Sequence, residues 1–238
     1  MLKLTLGKKP FRVAVAKVEV PEIRELVGVR PETTDPPTFA QVFVRREYDI
    51  ELPLEPRFII DAGGNVGYTA VWFANRYPAA KIVVIEPDAA NCKLLRENTA
   101  SYPQVELIQA GVWPRAGHLI IVTHDQTGRF LGEWGFRVEE SDEPAGETIR
   151  AVTLGEILRG SGQPAIDVLK LDVEGAEKEI FSASCDDWLP RTNVLMVELH
   201  DRFRPGASDA FFSVVNMQDF HHAQRGQTLF FIRKKLVP

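Results

Sequence analysis

Cysteine is almost missing. The 238 residues carry only Cys92 and Cys185, in separate segments, and neither sits in a C-x-x-C or similar metal-ligand spacing. Nothing in this usage calls for an oxidising compartment. Also missing is any run approaching the ~20 apolar residues that a membrane-spanning helix needs. The basic start, Met1 to Lys9, is not followed by the uninterrupted apolar stretch and small-residue end of a secretory leader. Positive charge is in deficit: 28 Lys and Arg against 33 Asp and Glu give a formal net charge of -5 and a pI near 5.6. No chain-wide field is left to hold a phosphate backbone. These absences set the expectation of a soluble, cytoplasmic protein with a small-molecule partner and with neither nucleic acid nor membrane. Internal repeats and low-complexity tracts are absent too.

What is present fits one α/β domain with a short appendage, since 45% of the residues are hydrophobic and 26% charged. Residues 1–50 read as an N-terminal appendage of short strands and a helix, with β-like runs in Phe11 to Val20. A proline-rich stretch from Pro31 to Pro37 argues against a continuous regular element there. Residues 51–238 read as the main domain. Phe58-Ile59-Ile60 predicts a strand and Tyr68 to Arg76 a helix; Lys81 to Ile85 and Asp88 to Asn98 repeat the unit, with Asp88 as N-cap. Consecutive strand-helix units imply a parallel sheet with right-handed crossovers. Val105 to Ala110, Ile166 to Leu171 and Asn193 to Leu199 are further strands. Leu119 to Val122 and Thr148 to Val152 flank a polar stretch with Phe130, Trp134 and Phe136. Phe220 to Ala223 and Thr228 to Arg233 read as an antiparallel hairpin around Arg225-Gly226.

The chemistry begins at Asp61-Ala62-Gly63-Gly64-Asn65-Val66-Gly67, which follows a strand and opens a helix. Gly63 would let the backbone approach a ligand, and Gly67 would let the helix pack close against its strand. A dinucleotide-binding turn occupies the same place, and Asp61 discriminates. A carboxylate there would repel a pyrophosphate but suits a ligand with an ammonium group, such as the methionine part of S-adenosylmethionine. Glu86 ends the second strand about 20 residues later, where it can accept from both hydroxyls of a ribose, and Pro87 stops that strand. Gln109 to Trp113, including Gly111, lies where an adenine would be held.

With Ile85-Glu86-Pro87-Asp88, Leu169-Lys170-Leu171-Asp172-Val173-Glu174-Gly175-Ala176-Glu177 and Val197-Glu198-Leu199-His200 following that glycine turn in order, the chain resembles the FkbM family of methyltransferases over roughly Tyr48 to Lys234. The resemblance implies a class I methyltransferase fold, Rossmann-like and three-layered α/β/α, with a mostly parallel seven-stranded sheet and one antiparallel strand. It implies S-adenosylmethionine as cofactor and methylation of hydroxyl groups on sugars, polyketides or other secondary metabolites. Asp61, Gly63, Asn65, Gly67, Glu86, Pro87, Gly111 and Asp172 are the expected cofactor residues. The chain departs from the family at Thr153-Leu154-Gly155, where Thr-Leu-Asp is usual, and at Ala110-Gly111-Val112-Trp113, where Ala-Leu-Gly-Asp is usual.

For the reacting centre, Asp172 and His200 follow the fourth and fifth strands and should face one cleft, because ligands of open parallel sheets sit beyond the strands' carboxyl ends. His200 is expected to be the base, its ordinary pKa of about 6.5 suiting proton abstraction near neutrality, with Asp172 orienting substrate or cofactor. Glu174 and Glu177 fall in the first helical turn, where carboxylates are favoured for structural reasons. No metal site is expected, although Asp172, Glu198 and His200 offer an alternative set of ligands for Mg or Mn. Two rival readings remain: a short-chain NAD(P) oxidoreductase, since Tyr77 to Lys81 formally reads Y-x-x-x-K, and a non-catalytic S-adenosylmethionine-binding module. Pro78 weakens the first by breaking the helical face its Tyr and Lys would need.

Overall fold

Among the described residues, regular structure opens with two short antiparallel strands, β1 (Ala16–Val18) and β2 (Val27–Val29). Helix α1 (Asp35–Phe39) then starts inside the proline-rich stretch that spoke against a regular element. The prolines themselves explain this, because Pro36 and Pro37 stand in the first turn, where a missing N–H costs no helical bond. The chain continues into a single π turn, Ala40–Val44, closed by the Arg45 N–H donating to the Ala40 carbonyl at 2.8 Å. This computed structural model describes residues 14–124, 127–128, 130–132, 136–141 and 148–237. The expected β-like start at Phe11, and Asp125 and Trp134 of the polar stretch, lie outside them.

The βα alternation follows as the periodicity predicts: β3 (Phe58–Ala62), α2 (Tyr68–Arg76), β4 (Lys81–Glu86), α3 (Ala89–Thr99) and β5 (Val105–Gln109). Asp88 caps α3 by accepting from the Asn91 N–H at 2.7 Å. Four strands come next, β6 (Gly111–Val112), β7 (Gly117–Val122), β8 (Arg137–Glu140) and β9 (Thr148–Val152). The remainder is α4 (Leu154–Ser161), β10 (Ile166–Leu171), α5 (Glu177–Ser182), β11 (Thr192–Val197), α6 (Ala207–Val215), β12 (Phe220–Arg225) and β13 (Thr228–Arg233).

Seven of these strands form one sheet in the order β12-β13-β11-β10-β3-β4-β5. Only β13 runs against its neighbours. Successive side chains of a strand point to opposite faces, so each buried strand feeds two cores. Phe58 and Ile60 pack on one face with α4, α5 and α6, while Ile59 packs on the other with α2, α3 and the N-terminal residues Val29, Phe43 and Tyr48. The three-layer α/β/α architecture is thus the one expected.

Two local features differ from expectation. The third strand ends at Gln109; Gly111 and Val112 leave the main sheet and join a second sheet of order β6-β9-β7-β8, in which β7 and β9 pair directly. Strand β8 has short, half-exposed alternation that gave no signal of its own. At the family departure Thr153-Leu154-Gly155, a Cβ on Gly155 would stand 1.7 Å from Asp187 Oδ2, so the Asp187 carboxylate fills that space and pairs there with Arg159 at 2.7 Å.

Two glycines of the first turn have clear reasons. Gly63 has φ +80, and a Cβ there would lie 1.7 Å from the Asp172 carbonyl oxygen. Gly67 has φ +87, and a Cβ there would stand 3.0 Å from Leu95 Cγ of α3, so its closeness serves helix-helix packing and not packing on its own strand. Gly63→Ala is expected to lower stability by about 2–4 kcal/mol through combined overpacking and backbone strain, as measured by urea denaturation.

Candidate active site

A cavity opens beyond the carboxyl ends of β3, β4, β10 and β11, where open parallel sheets place their ligands. Of the expected cofactor residues, Gly63, Asn65, Glu86, Pro87, Gly111 and Asp172 line it, and so does His200. Asp61 and Gly67 do not; both lie behind the wall.

At one end the glycine turn is shaped by the protein's own hydrogen bonds. The Gly63 and Gly64 N–H groups both donate to the Ile85 carbonyl, at 3.0 and 2.9 Å. Asn65 adopts φ +47, in the left-handed region that Asn tolerates better than most residues. Its N–H donates to Glu86 Oε2 at 2.8 Å, and its buried Oδ1 has no hydrogen-bond partner among the described residues. Glu86 Oε1 accepts from the Asp88 N–H and from Asn91 Nδ2, at 3.0 and 3.3 Å. Burial pushes the Glu86 carboxyl up to about 7 against the pull of these donors. Ala110, Gly111 and Val112 line the wall beside it, whereas Gln109 and Trp113 of the expected adenine segment do not.

The centre of the site is a buried ammonium group. Lys170 Nζ donates to the Gly63 carbonyl at 2.6 Å and stands 3.2 Å from Asp61 Oδ1 and 3.6 Å from Asp172 Oδ2. Burial alone would lower the Lys170 pKa, but the charges of Asp61, Asp172 and Glu198 outweigh it and keep the amine protonated. Burial raises the Asp61 pKa, and Lys170 opposes that shift. Asp61 is fully buried, so its charge answers Lys170 and is not presented to a ligand directly. The electrostatic preference read from Asp61 passes instead to Asp172, Glu174 and Glu198 in the cavity wall.

At the far end, His200 is surrounded by carboxylates. Its Nδ1 lies 2.9 Å from Glu177 Oε1, and its Nε2 lies 3.6 Å from both Asp172 Oδ1 and Glu174 Oε2. Burial would lower the imidazole pKa, yet the Glu177 hydrogen bond and the charges of Asp172, Glu177 and Glu174 raise it to about 10. The expectation of His200 as base assumed an unperturbed ring, and the carboxylates around the ring shift its pKa upward. Glu177, fully buried, also accepts from the Val173 N–H at 3.2 Å, which agrees with the structural role expected of it.

The N-terminal segment supplies a wall the motifs did not announce. Pro37, Thr38, Gln41, Val42, Arg45 and Tyr48 all line the cavity. Gln41, in the π turn, donates to Glu198 Oε1 at 2.6 Å, and Thr228 of β13 donates to the same oxygen at 3.2 Å. Phe136 and Val138 close the cavity from the second sheet. Phe130 packs against Phe136 and His124, with ring centroids 5.6 Å apart in both pairs, as a small aromatic cluster.

The profile of the FkbM methyltransferase domain matches residues 61–225, more than half of the chain. The chain belongs to the FkbM methyltransferase family. Methyltransferase sdnD of Sordaria araneosa is 29% identical over 177 residues, covering 60% of this chain and 66% of that protein. The AMB antimetabolite synthetase AmbE of Pseudomonas aeruginosa is 25% identical over 253 residues, covering 90% of this chain but only 12% of the synthetase. The crystal structure of Methyltransferase FkbM from Methylobacillus flagellatus superposes with a TM-score of 0.52 at 14% identity, over 82% of this chain and 47% of that one. The first two relatives and this structure are thus longer than the part that the chain matches.

An FkbM methyltransferase takes its methyl group from S-adenosylmethionine, and the residues present fit that cofactor. The unpartnered Asn65 Oδ1 and the Glu86 carboxylate offer acceptors at one end of the cavity, and Gly63 leaves no side chain between the turn and Asp172. The oxidoreductase reading loses its ground, since α2 ends at Arg76 and Lys81 opens β4, so Tyr77 and Lys81 share no helix. No helix among the described residues is long and apolar enough to cross a membrane.

Replacing Lys170 by Met would leave Asp61 buried without its cation. A loss of about 3–5 kcal/mol is expected in urea denaturation, partly recovered when Asp61→Asn is added.

Proposed function

We propose that this methyltransferase moves the methyl group of S-adenosylmethionine to a hydroxyl oxygen of a small acceptor, a sugar or secondary metabolite. The observation that carries the reading is that Glu86 and the Asp172, Glu174 and His200 group line opposite ends of one cavity. The relative named an antimetabolite synthetase supports a metabolite of that class as acceptor. The cofactor supplies a methyl carbon made electrophilic by its sulfonium.

The chain's own residues would do the rest. Glu86, fixed by three donors, accepts from the ribose hydroxyls; Asn65 adds a free acceptor; Pro87, Gly111 and Val112 border the base. Asp172 is held by its own N–H donating to the Ala62 carbonyl at 3.1 Å and by Lys170, so its carboxylate is positioned before anything binds. Alignment of this kind is most of what in-line displacement requires. The proton of the acceptor passes to Glu198 in place of His200, because Glu198 faces the cavity and Gln41 and Thr228 fix its orientation.

The test is calorimetry with S-adenosylhomocysteine, followed by mass spectrometry of turnover over a panel of hydroxylated sugars and polyketides, with amine acceptors as controls. Transfer to amines alone, or a cavity that binds no S-adenosylhomocysteine, would overturn the reading.

Glu86→Gln is expected to weaken S-adenosylhomocysteine by about 1.5–3 kcal/mol, roughly 10- to 150-fold. Because ribose hydroxyls donate best to the ionised carboxylate, wild-type affinity should fall as pH drops below about 7, and the variant should lose this dependence. The ligand-free protein follows the opposite sign. A carboxyl whose folded pKa is raised binds more protons folded than unfolded, so stability declines as pH rises through the window up to about 7. Thermal melts across that window should show the slope in wild type and a flatter profile in Glu86→Gln.

A further inference from the structure

We propose that Asp172, Glu174 and His200 form a divalent-cation site at the acceptor end of the cavity, for a transition ion of the Mn2+ class. One ligand atom from each residue lies within 4.8 Å of the others. His200 Nε2 is 3.6 Å from Asp172 Oδ1 and 3.6 Å from Glu174 Oε2. Those gaps are too long for hydrogen bonds. They match ligand atoms around a shared ion, whose bonds of about 2.0–2.6 Å set neighbouring ligands roughly 3–5 Å apart.

Burial makes the gap informative. Asp172 Oδ1 and Glu174 Oε2 are closed to solvent and have no hydrogen-bond partner among the described residues. A buried acceptor left in that state carries an uncompensated loss of hydration, larger when it is charged. The His200 side chain is 6% exposed, and its Nε2 stands 3.6 Å from each of these two oxygens. The ring is turned that way by Glu177, which takes Nδ1 at 2.9 Å and is itself anchored by the Val173 N–H. A carboxylate that holds one ring nitrogen and leaves the other facing a metal is the recurring support of histidine ligands.

The donor set narrows the ion. Two carboxylate oxygens suit Mg, Ca and Mn, and an imidazole suits transition ions, so the combination favours Mn2+ or a close relative. Glu198, a ligand in the alternative drawn from strand alternation, is committed to Gln41 and Thr228; Glu174 takes its place. Three protein ligands leave coordination positions open toward the cavity.

Binding of the ion stands on these donors alone, whereas its use in catalysis rests on the methyl-transfer reading. There the ion would hold the acceptor's hydroxyl oxygen. The O–H bond breaks with its proton going to Glu198, the oxygen pair forms the bond to the methyl carbon, and the carbon–sulfur pair returns to sulfur.

The experiment titrates the chelator-stripped full chain with Mn2+ alone, read by calorimetry and by electron paramagnetic resonance with detection of nitrogen coupling. One Mn2+ per chain, with a signal coupled to one imidazole nitrogen, is expected. His200→Gln should abolish the coupling, Glu174→Gln should weaken binding at least tenfold, and Glu177→Gln should weaken it roughly 10- to 100-fold. Glu198→Gln should leave Mn2+ affinity within about twofold. Each variant is compared only where its S-adenosylhomocysteine affinity is retained, and the nitrogen coupling of wild type needs no variant. Absence of Mn2+ binding in the millimolar range, or Mn2+ bound without nitrogen coupling, would overturn the proposal. Mn2+ binding without any methyl transfer would sustain the site and defeat the function proposed above, so the two fail separately.

Discussion

One ammonium group holds this site in shape. Lys170 sits in register with Asp61 on the neighbouring strand, and its Nζ reaches the Asp61 carboxylate, the Gly63 carbonyl and the Asp172 carboxylate. The glycine turn, the end of β10 and the cavity's central acid are therefore parts of one electrostatic knot. A charge buried this deeply is stable only while its partners stay in place, so the knot constrains geometry more than it adds stability. The Asp172 N–H, bonded to the Ala62 carbonyl, closes the same junction from the backbone side.

Around that knot, negative charge is divided between the two ends of the cavity. Glu86 stands alone at one end among backbone and amide donors, where a neutral, hydroxyl-rich ligand can be read by direction. Asp172, Glu174 and Glu177 crowd the other end around a single imidazole. The first arrangement is satisfied by hydrogen bonds; the second is left short of positive charge. Such an imbalance inside a protein is a signature of a place built to receive something.

Much of the fold was legible because strand and helix periods are strong where the chain is buried on both sides. Tyr68 to Arg76 and Ile166 to Leu171 appear with the bounds expected of them. The second sheet was partly hidden, since Arg137–Glu140 alternates over four residues only and Gly111–Val112 is shorter still. Of the site, the strand-end residues could be placed because topology dictates where strand ends go. Their partners could not. Lys170 lay in plain view in the motif, yet nothing local says that a lysine will turn inward to pair with Asp61. Spacing showed Glu198 and His200 on one face, but the left-handed backbone of Glu174, φ +52, carries a different carboxylate to the imidazole. The π turn gives no pattern in sequence, so Gln41 went unseen.

The wall built by Pro37 to Tyr48 precedes the region shared with the family, which begins at residue 61. The cavity is thus walled by stretches of chain on both sides of that boundary, which meet in the Gln41 to Glu198 hydrogen bond and in the packing of Phe43 on Tyr68. A substitution among residues 37–48 would therefore recut the outline of the cavity while Glu86 keeps its three donors and Lys170 its partners.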